Sequence, residues 1–376
     1  MELRTVRYTS RRRWRVPLWA LALLVLAFVS LWNRRELLVE RATFVLPDPT
    51  PTPSAVNPLA QARVHEAQGD LLQAAEFYGQ VAAIETWNPQ PLVDQSRLYI
   101  LLKQIPKALA AAEEAVRRDD RHVDSLNALA RALDWSGEYE KAVNTAVDAL
   151  VLSPDNSRTL AILGEIYADV GNWYKAESYL DQAAELAPLD VLVWRNKALL
   201  HEYRGEYTEG LAALEQGLSV DPSAWYLEIH KGRLYEALFE WENALEAYER
   251  ALELNPNVSL TWDALGYGHF KVGNDLEARR NLERAVEVNP QDGLAMAHLG
   301  TVYYRMRNYE GAVDILSEAL DLIEGTPRIE FLYQLGLAYV YKDPSECDKA
   351  KPWLLAALEI DPESGPALEG LESCPV

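Results

Sequence analysis

Histidine and cysteine, which often serve in catalysis and metal binding, form no recognisable constellation in this sequence. There are only two cysteines, Cys347 and Cys374, which excludes a zinc site built from four thiolates of one molecule. His65, His201 and His269 are separated by multiples of one constant interval, a spacing that indicates packing positions. No metalloprotease, nucleophile-elbow, phosphate-loop or dinucleotide-binding motif is present. We therefore expect no enzyme, no metal site and no cofactor.

Arginines that could bind anions follow the same spacing. Arg63, Arg97 and Arg131 are separated by that interval, and Arg233 lies three further intervals along the chain. A guanidinium group can donate two parallel hydrogen bonds to one carboxylate, so such a row could hold an acidic ligand. The alternative is that these arginines pair with acids of the chain itself. Those acids include Asp94, Asp124, Asp134 and Glu165.

The charge of the chain is acidic and unevenly distributed. The formal net charge is -21, yet residues 1–15 carry six arginines against one glutamate, a net of +5. Phosphate binding needs a concentrated positive surface, which an acidic body does not provide. The composition therefore argues against a nucleic-acid partner.

A repeating unit of constant length must position these side chains. Pro154, Pro188, Pro222, Pro256 and Pro290 recur at the same interval as the histidines and arginines. Small residues recur with this period at three positions of each unit. One of these positions holds Ala62, Ser96, Ala130, Gly164, Ala198, Gly232, Gly266, Gly300 and Gly336. The pattern predicts two antiparallel helices per unit, in which small residues allow close approach and proline follows the second helix.

This pattern resembles the tetratricopeptide-repeat (TPR) family, whose unit is about 34 residues long and carries a W-x2-L-G signature. Trp262, Leu265 and Gly266 match that signature. The resemblance implies an all-α, right-handed superhelical solenoid of about nine helix-turn-helix repeats over residues 55–364. Residues 365–376 are expected to form a C-terminal cap. Each repeat would contact mainly its neighbours.

The resemblance also implies a concave groove lined by the first helix of each unit. Carried over to this sequence, the groove positions are basic in the first half and aromatic in the second. The implied groove residues are Arg63, Arg97, Asn127, Arg131, Trp135, Arg158, Arg195, Arg233, Tyr267, Phe270, Tyr304, Tyr333 and Tyr341. The lysine–asparagine clamp with which some family members bind a terminal carboxylate is missing, which argues against binding of chaperone tails.

An apolar stretch near the N-terminus suggests a membrane anchor. Residues 16–32 carry no charge, follow the basic tail 1–15 and span roughly 26 Å as a helix. A cleaved signal peptide is the alternative, but bulky and basic residues stand where a peptidase needs small ones. We therefore expect a single-pass plasma-membrane protein with a cytoplasmic N-terminus and an extracytoplasmic TPR body. Residues 33–54 would form a juxtamembrane segment and a proline-rich linker.

The two cysteines lie where the last repeat and the cap could meet. Cys347 falls in the turn between the helices of the ninth unit, and Cys374 falls at the end of the cap. A disulfide between them and two free thiols both remain open, because spacing alone does not establish geometry.

Two functions fit these features. The first is a membrane-anchored scaffold that binds a protein or peptide partner in its groove during cell-envelope assembly. The second is a glycan-binding accessory factor for export of an envelope polymer, which the aromatic half of the groove would favour. The sequence specifies neither the partner nor an oligomeric state.

Overall fold

The computed structural model describes residues 18–33, 54–323 and 325–374, and these residues contain helices and no strand. The chain divides into two units, Met1–Ser54 and Ala55–Val376. The prediction of an all-α solenoid is confirmed for the second unit.

Helix α1, Leu18–Asn33, is the element that the first unit contributes. Its 16 residues rise about 24 Å, whereas the hydrocarbon core of a bilayer is about 30 Å thick. None of the helices in the described ranges is long and apolar enough to cross a membrane. The predicted anchor over residues 16–32 and the plasma-membrane localisation are therefore wrong. The basic tail 1–15 and residues 34–53, with the proline-rich linker, lie outside the described residues.

The described residues of the second unit contain nineteen α-helices, as nine antiparallel pairs and one final helix. The pairs, here called repeats one to nine, are α2 Val56–Ala67 with α3 Leu71–Ile84, α4 Gln90–Leu101 with α5 Ile105–Arg118, α6 Val123–Trp135 with α7 Tyr139–Leu152, α8 Ser157–Asp169 with α9 Trp173–Leu186, α10 Val191–Arg204 with α11 Tyr207–Val220, α12 Trp225–Ala237 with α13 Trp241–Leu254, α14 Ser259–Lys271 with α15 Asp275–Val288, α16 Gly293–Arg305 with α17 Tyr309–Leu322, and α18 Ile329–Lys342 with α19 Cys347–Ile360. A 3₁₀ helix, Pro344–Glu346, precedes α19, and α20, Gly365–Glu372, covers the last repeat.

Small residues set the distance between the two helices of a pair. A Cβ atom built on Gly164 would lie 2.5 Å from Leu180 of the partner helix, and one on Gly300 would lie 2.4 Å from Leu316. Real Cβ atoms do not approach other atoms so closely, so a larger residue would force the pair apart. The recurring small residues therefore mark the crossing points of the helix pairs.

The turn inside each of repeats one to eight contains one residue in the left-handed conformation. Glycine occupies this position in five of eight repeats, and a side chain occupies it in the other three. The position holds Gly69, Lys103, Gly137, Gly171, Gly205, Phe239, Gly273 and Arg307. Because a Cβ atom destabilises this conformation, the three repeats without glycine carry a local cost.

The first repeat contacts the turn between repeats six and seven, far from it in sequence. Asn257 Nδ2 donates a hydrogen bond to the Gln68 carbonyl oxygen at 2.7 Å. At the same contact, Gly69 faces Asn255 so closely that a Cβ atom would lie 2.0 Å from Asn255 Oδ1. One continuous hydrophobic cluster also joins Leu98 of repeat two with residues of repeats six and seven. The solenoid thus closes on itself, and we call this contact the closure.

A disulfide joins the cap to the last repeat. Cys347 and Cys374 are bonded, with their Cα atoms 5.5 Å apart. Both side chains belong to the cluster in which α20 packs against α18 and α19. The bond fixes α20 over an apolar face that would otherwise end the solenoid exposed.

Candidate functional site: a chamber lined by repeats two to six

The concave side of the solenoid holds a half-open cavity, here called the chamber, with a volume of about 1230 Å³. Its walls are the first helices of repeats two to six, namely α4, α6, α8, α10 and α12, with Leu260 of α14 at the edge. Seven of the predicted groove residues line it. They are Arg97, Asn127, Arg131, Trp135, Arg158, Arg195 and Arg233.

Glu165 is the electrostatic centre of the chamber. Its side chain is 1% exposed and lies 3.3 Å from Arg131 Nε and 2.5 Å from Arg195 Nη1. Asn196 Nδ2 donates a further hydrogen bond to it at 3.2 Å. Burial alone would raise the pKa of this carboxyl, but the Arg195 and Arg131 guanidinium groups lower it to about 2. Glu165 is therefore ionised and orients both arginines.

The pKa of Asp134, on the neighbouring helix α6, shifts in the opposite direction. Its side chain is 3% exposed, and its carboxyl lies beside that of Asp169, with which it shares a hydrogen bond. Burial, together with the negative charges of Glu165 and Asp169, raises the pKa of Asp134 to about 9. Asp134 is therefore protonated at neutral pH and can donate as well as accept a hydrogen bond.

The other predicted arginines of the chamber have acidic partners. Arg97 forms a salt bridge with Glu66 of the preceding repeat, and Arg158 Nε lies 3.9 Å from Asp190. The sequence suggested Asp94, Asp124, Asp134 and Glu165 as partners of the arginines. Within the described ranges, only Glu165 of these four forms a salt bridge with an arginine. Much of the basic character that the sequence suggests is thus neutralised inside the chamber.

Helix α6 concentrates unpaired polar atoms on the chamber wall. Ten buried side-chain nitrogen and oxygen atoms of the described residues lack a hydrogen-bond partner, and five of them belong to α6. These five are Asn127 Nδ2, Arg131 Nε, Trp135 Nε1 and both carboxyl oxygens of Asp134. Arg131 Nε is nevertheless ion-paired with Glu165, and the protonated Asp134 carboxyl shares a hydrogen bond with Asp169. Asn127 uses only its oxygen, which accepts from Thr159 Oγ1 at 2.9 Å. Unpaired buried groups are costly, so their clustering on one chamber wall marks a place where a ligand could supply partners.

Lys103 is a chamber residue that the sequence reasoning missed. It lies in the turn of repeat two with φ 60°, and its Nζ atom is 3.7 Å from the centroid of the Trp135 ring. The signal was present in the sequence, because lysine stands where five repeats have glycine. A long side chain at a position that favours glycine is a departure that function can explain.

The predicted aromatic residues of the second half of the groove and Arg63 lie outside the chamber lining. These aromatic residues are Tyr267, Phe270, Tyr304, Tyr333 and Tyr341. Tyr267 and Phe270 stack with their ring centroids 5.5 Å apart, and the Arg305 guanidinium lies 3.4 Å from the Phe270 ring centroid. Further along, Tyr304 stacks with Tyr341 at 6.4 Å. The structure does not join Tyr333 to either stack. The aromatic part of the predicted groove is therefore a separate surface of repeats seven to nine.

No group of three or more histidine, cysteine or acidic side chains in the described ranges is arranged to hold a metal ion. His65 instead stacks on Phe77, and His201 Nδ1 lies 2.8 Å from Glu206.

Comparison with known proteins identifies the repeat. Family models described as "Tetratricopeptide repeat" match residues 94–157, 159–192, 227–258 and 264–327. The chain belongs to the tetratricopeptide-repeat family. The matched TPR segments include parts of the repeats that line the chamber, from α4 to α12.

One curated relative is the photosystem I assembly protein Ycf3 of Acaryochloris marina (strain MBIC 11017). It is 31% identical over 123 residues, which are 30% of this chain and 73% of the relative.

Solved structures share the TPR fold at lower identity. A chain of the APC/C heterotetramer Cut9–Hcn1 matches with a TM-score of 0.59 at 19% identity. The match covers 85% of this chain and 62% of the Cut9–Hcn1 chain. The human IFIT1 dimer with PPP-AAAA has a TM-score of 0.55 at 17% identity, covering 84% of this chain and 81% of that one. At these identities the likeness concerns the fold alone.

Proposed function

We propose that this TPR protein is an interaction scaffold that binds an extended segment of a partner protein inside the chamber. The observation that carries the proposal is the row of buried polar side chains that α6 presents to the chamber, among them the unpaired Asn127 amide nitrogen and the protonated carboxyl of Asp134. A peptide backbone presents N–H and C=O groups in alternation, so it can satisfy both kinds of partner.

The size of the chamber supports a peptide over a small metabolite. Its volume of about 1230 Å³ exceeds the roughly 300–1,000 Å³ that is usual for small-molecule sites. An extended segment of several residues would fill such a space. The Ycf3 relative is named as an assembly protein, which is consistent with a protein-binding role and with binding in place of catalysis.

The role in cell-envelope assembly depends on the anchor that the structure contradicts, so the proposal is limited to the scaffold itself. The glycan-binding alternative is confined to the aromatic stacks at Tyr267 and Tyr304, outside the chamber.

Site-specific photocrosslinking tests the proposal. A benzoylphenylalanine replacing Tyr226, a chamber-lining residue of α12, would be irradiated in the full chain within an extract of the native cell. The matched control places the same group at Tyr174, which is 84% exposed on α9. We expect a protein adduct, mapped by mass spectrometry to one peptide segment, at position 226 only. Equal labelling at both positions, or labelling at position 174 alone, would refute binding in the chamber.

A further inference from the structure

Three tyrosines pack against one another at the junction of repeats eight and nine. Tyr304 lies on α16, Tyr309 begins α17 and Tyr341 lies on α18. The ring centroids are 5.3 Å apart for Tyr309 and Tyr341, 5.9 Å apart for Tyr304 and Tyr309, and 6.4 Å apart for Tyr304 and Tyr341. Tyr341 is 42% exposed. The cluster, here called the tyrosine triad, therefore presents aromatic surface to solvent.

The preceding junction, between repeats seven and eight, carries an ion pair at the equivalent positions. Counted from the recurring small residue of each repeat, Phe270, Asp275 and Arg305 are the counterparts, in chain order, of the three tyrosines. The Arg305 guanidinium lies 3.4 Å from the Phe270 ring centroid and forms a salt bridge with Asp275. At that junction the chain thus supplies both the cation that covers the ring and the acid that pairs with it.

The tyrosine triad has no such cation. Within the described ranges, no lysine or arginine lies over any of its three rings, and none of its hydroxyl groups forms a hydrogen bond. At other tyrosines the chain supplies the cation itself, since Lys175 lies 4.6 Å from the Tyr167 ring centroid and Lys271 lies 5.0 Å from that of Tyr267. Tyrosine in the place of Arg305 therefore leaves an aromatic surface that lacks a cation.

The surroundings of the tyrosine triad are negatively charged. Residues 293–376 contain fourteen acidic residues against six basic residues, a net of -8. Burial, the neighbouring phenol groups and Glu369 of α20 raise the pKa of Tyr304 to about 12, and burial and Glu369 also raise the pKa of Tyr341. The faces of aromatic rings attract cations as well. A cationic ligand gains from both effects, whereas a neutral sugar ring gains nothing from the acidic residues.

The arrangement of the rings favours a flat cation. The three rings lie against one another, so they form a surface and cannot surround a bulky quaternary ammonium group. A guanidinium group is planar, stacks on aromatic faces and can pair with a carboxylate at the same time. Arg305 makes both of these contacts at the preceding junction.

We infer that the tyrosine triad binds an arginine side chain of a partner protein, with the guanidinium group on the exposed Tyr341 ring. The partner's arginine would make the ring contact that the chain's own Arg305 makes one repeat earlier. None of the three tyrosines lines the chamber. The site is therefore a second binding surface, which goes beyond the proposed function and does not depend on it.

The test measures binding of a defined cationic probe to the full chain. The probe is a fluorescein-labelled Gly-Ser-Arg-Gly-Arg-Ser-Gly peptide with blocked ends. Its matched control has citrulline, which is neutral and of similar shape, in place of both arginines. Binding is followed by fluorescence anisotropy. We expect the arginine peptide to bind at least about fivefold more tightly than the citrulline peptide, because a cation over an aromatic face contributes about that factor.

The variants Tyr341→Leu and Tyr174→Leu separate the tyrosine triad from the acidic charge of the whole chain. Both remove one exposed tyrosine and leave the net charge unchanged, and Tyr174 is 84% exposed on α9. Only Tyr341→Leu should lower the affinity for the arginine peptide, by about fivefold. Tyr341→Phe should keep the affinity, because it keeps the ring face and loses only the hydroxyl group.

Three results would overturn the arginine site. They are equal affinities for the two peptides, equal affinities of the two leucine variants for the arginine peptide, or no binding of the arginine peptide to the unmodified chain. Binding of a neutral glucan hexasaccharide that is lost in Tyr341→Leu, without binding of the arginine peptide, would assign the surface to glycans. The crosslink at position 226 reports on the chamber alone, so failure of the chamber and failure of this site are distinguishable.

Discussion

At the scale of single residues, two neighbouring buried acids have opposite effects on stability. Asp134 lies beside the acids Glu165 and Asp169, whereas Glu165 contacts two arginines. The folded-state pKa of Asp134, about 9, lies above its ordinary value of 3.8. The native state therefore binds a proton that the unfolded chain releases, and the stability contributed by this proton falls as pH rises from about 4 to 9.

We expect Asp134→Asn to stabilise the protein at pH 7 by on the order of 2 kcal/mol, an advantage that disappears near pH 4. Glu165→Gln should instead destabilise it by about 3–5 kcal/mol, because Arg131 and Arg195 lose their buried counter-ion. Urea unfolding of both variants between pH 4 and 8 checks these signs. A loss of stability in Asp134→Asn at pH 7 would contradict the assignment of a protonated carboxyl.

The sequence predicted which arginines face the concave side, but it did not predict their ion pairs. Arg97, Arg131 and Arg195 line the chamber because the constant period of the repeat fixes the face of each helix. Their ion pairs could not be predicted, since Glu165 reaches arginines of two different repeats only after the repeats stack. Lys103 was missed because its turn lies outside the helical positions from which the groove was inferred.

At the scale of elements, the turn of repeat one makes the closure. Gly69 has φ 77° and faces Asn255, whereas Gly171 has φ 75° and no atom within 4 Å of a built Cβ atom. Alanine at either position incurs about 1–2 kcal/mol from the left-handed backbone alone. At Gly69 it also displaces Asn255, which accepts a hydrogen bond from the Asn257 backbone.

We therefore expect Gly69→Ala to be more destabilising than Gly171→Ala and to speed hydrogen exchange in α2 and α3. Gly171→Ala should leave exchange in these helices unchanged. Mass spectrometry of exchanged peptides measures both. Equal effects of the two substitutions would mean that the closure adds nothing to stability.

The helix pairs were the most predictable level of this fold. Small residues at a fixed period determine where two helices cross, so nine pairs and a cap followed from the pattern. The apolar N-terminal stretch failed as an anchor because its helix, Leu18–Asn33, has only 16 residues. The paired cysteines could not be assigned beforehand, since the position of α20 depends on its packing against α18 and α19.

At the scale of the whole molecule, the closure distinguishes a chamber from an open groove. Each repeat rotates slightly against the next, and small rotations add up along a solenoid. Whether repeat one meets repeat seven therefore depends on the sum of six interfaces, which no local sequence pattern specifies. We expect the shape of the chamber and the proposed binding of a partner segment to depend on this contact.

The distance between Gln73 and Glu253 tests this account most directly. Both residues are exposed, and they lie on α3 and α13 beside the closure. The native cysteines are paired, so spin labels attach only to cysteines introduced at these two positions. We predict one short and narrow distance distribution by pulsed electron paramagnetic resonance, broadened by Gly69→Ala and unaffected by Gly171→Ala. A long, broad distribution in the otherwise unmodified chain would contradict the closed chamber.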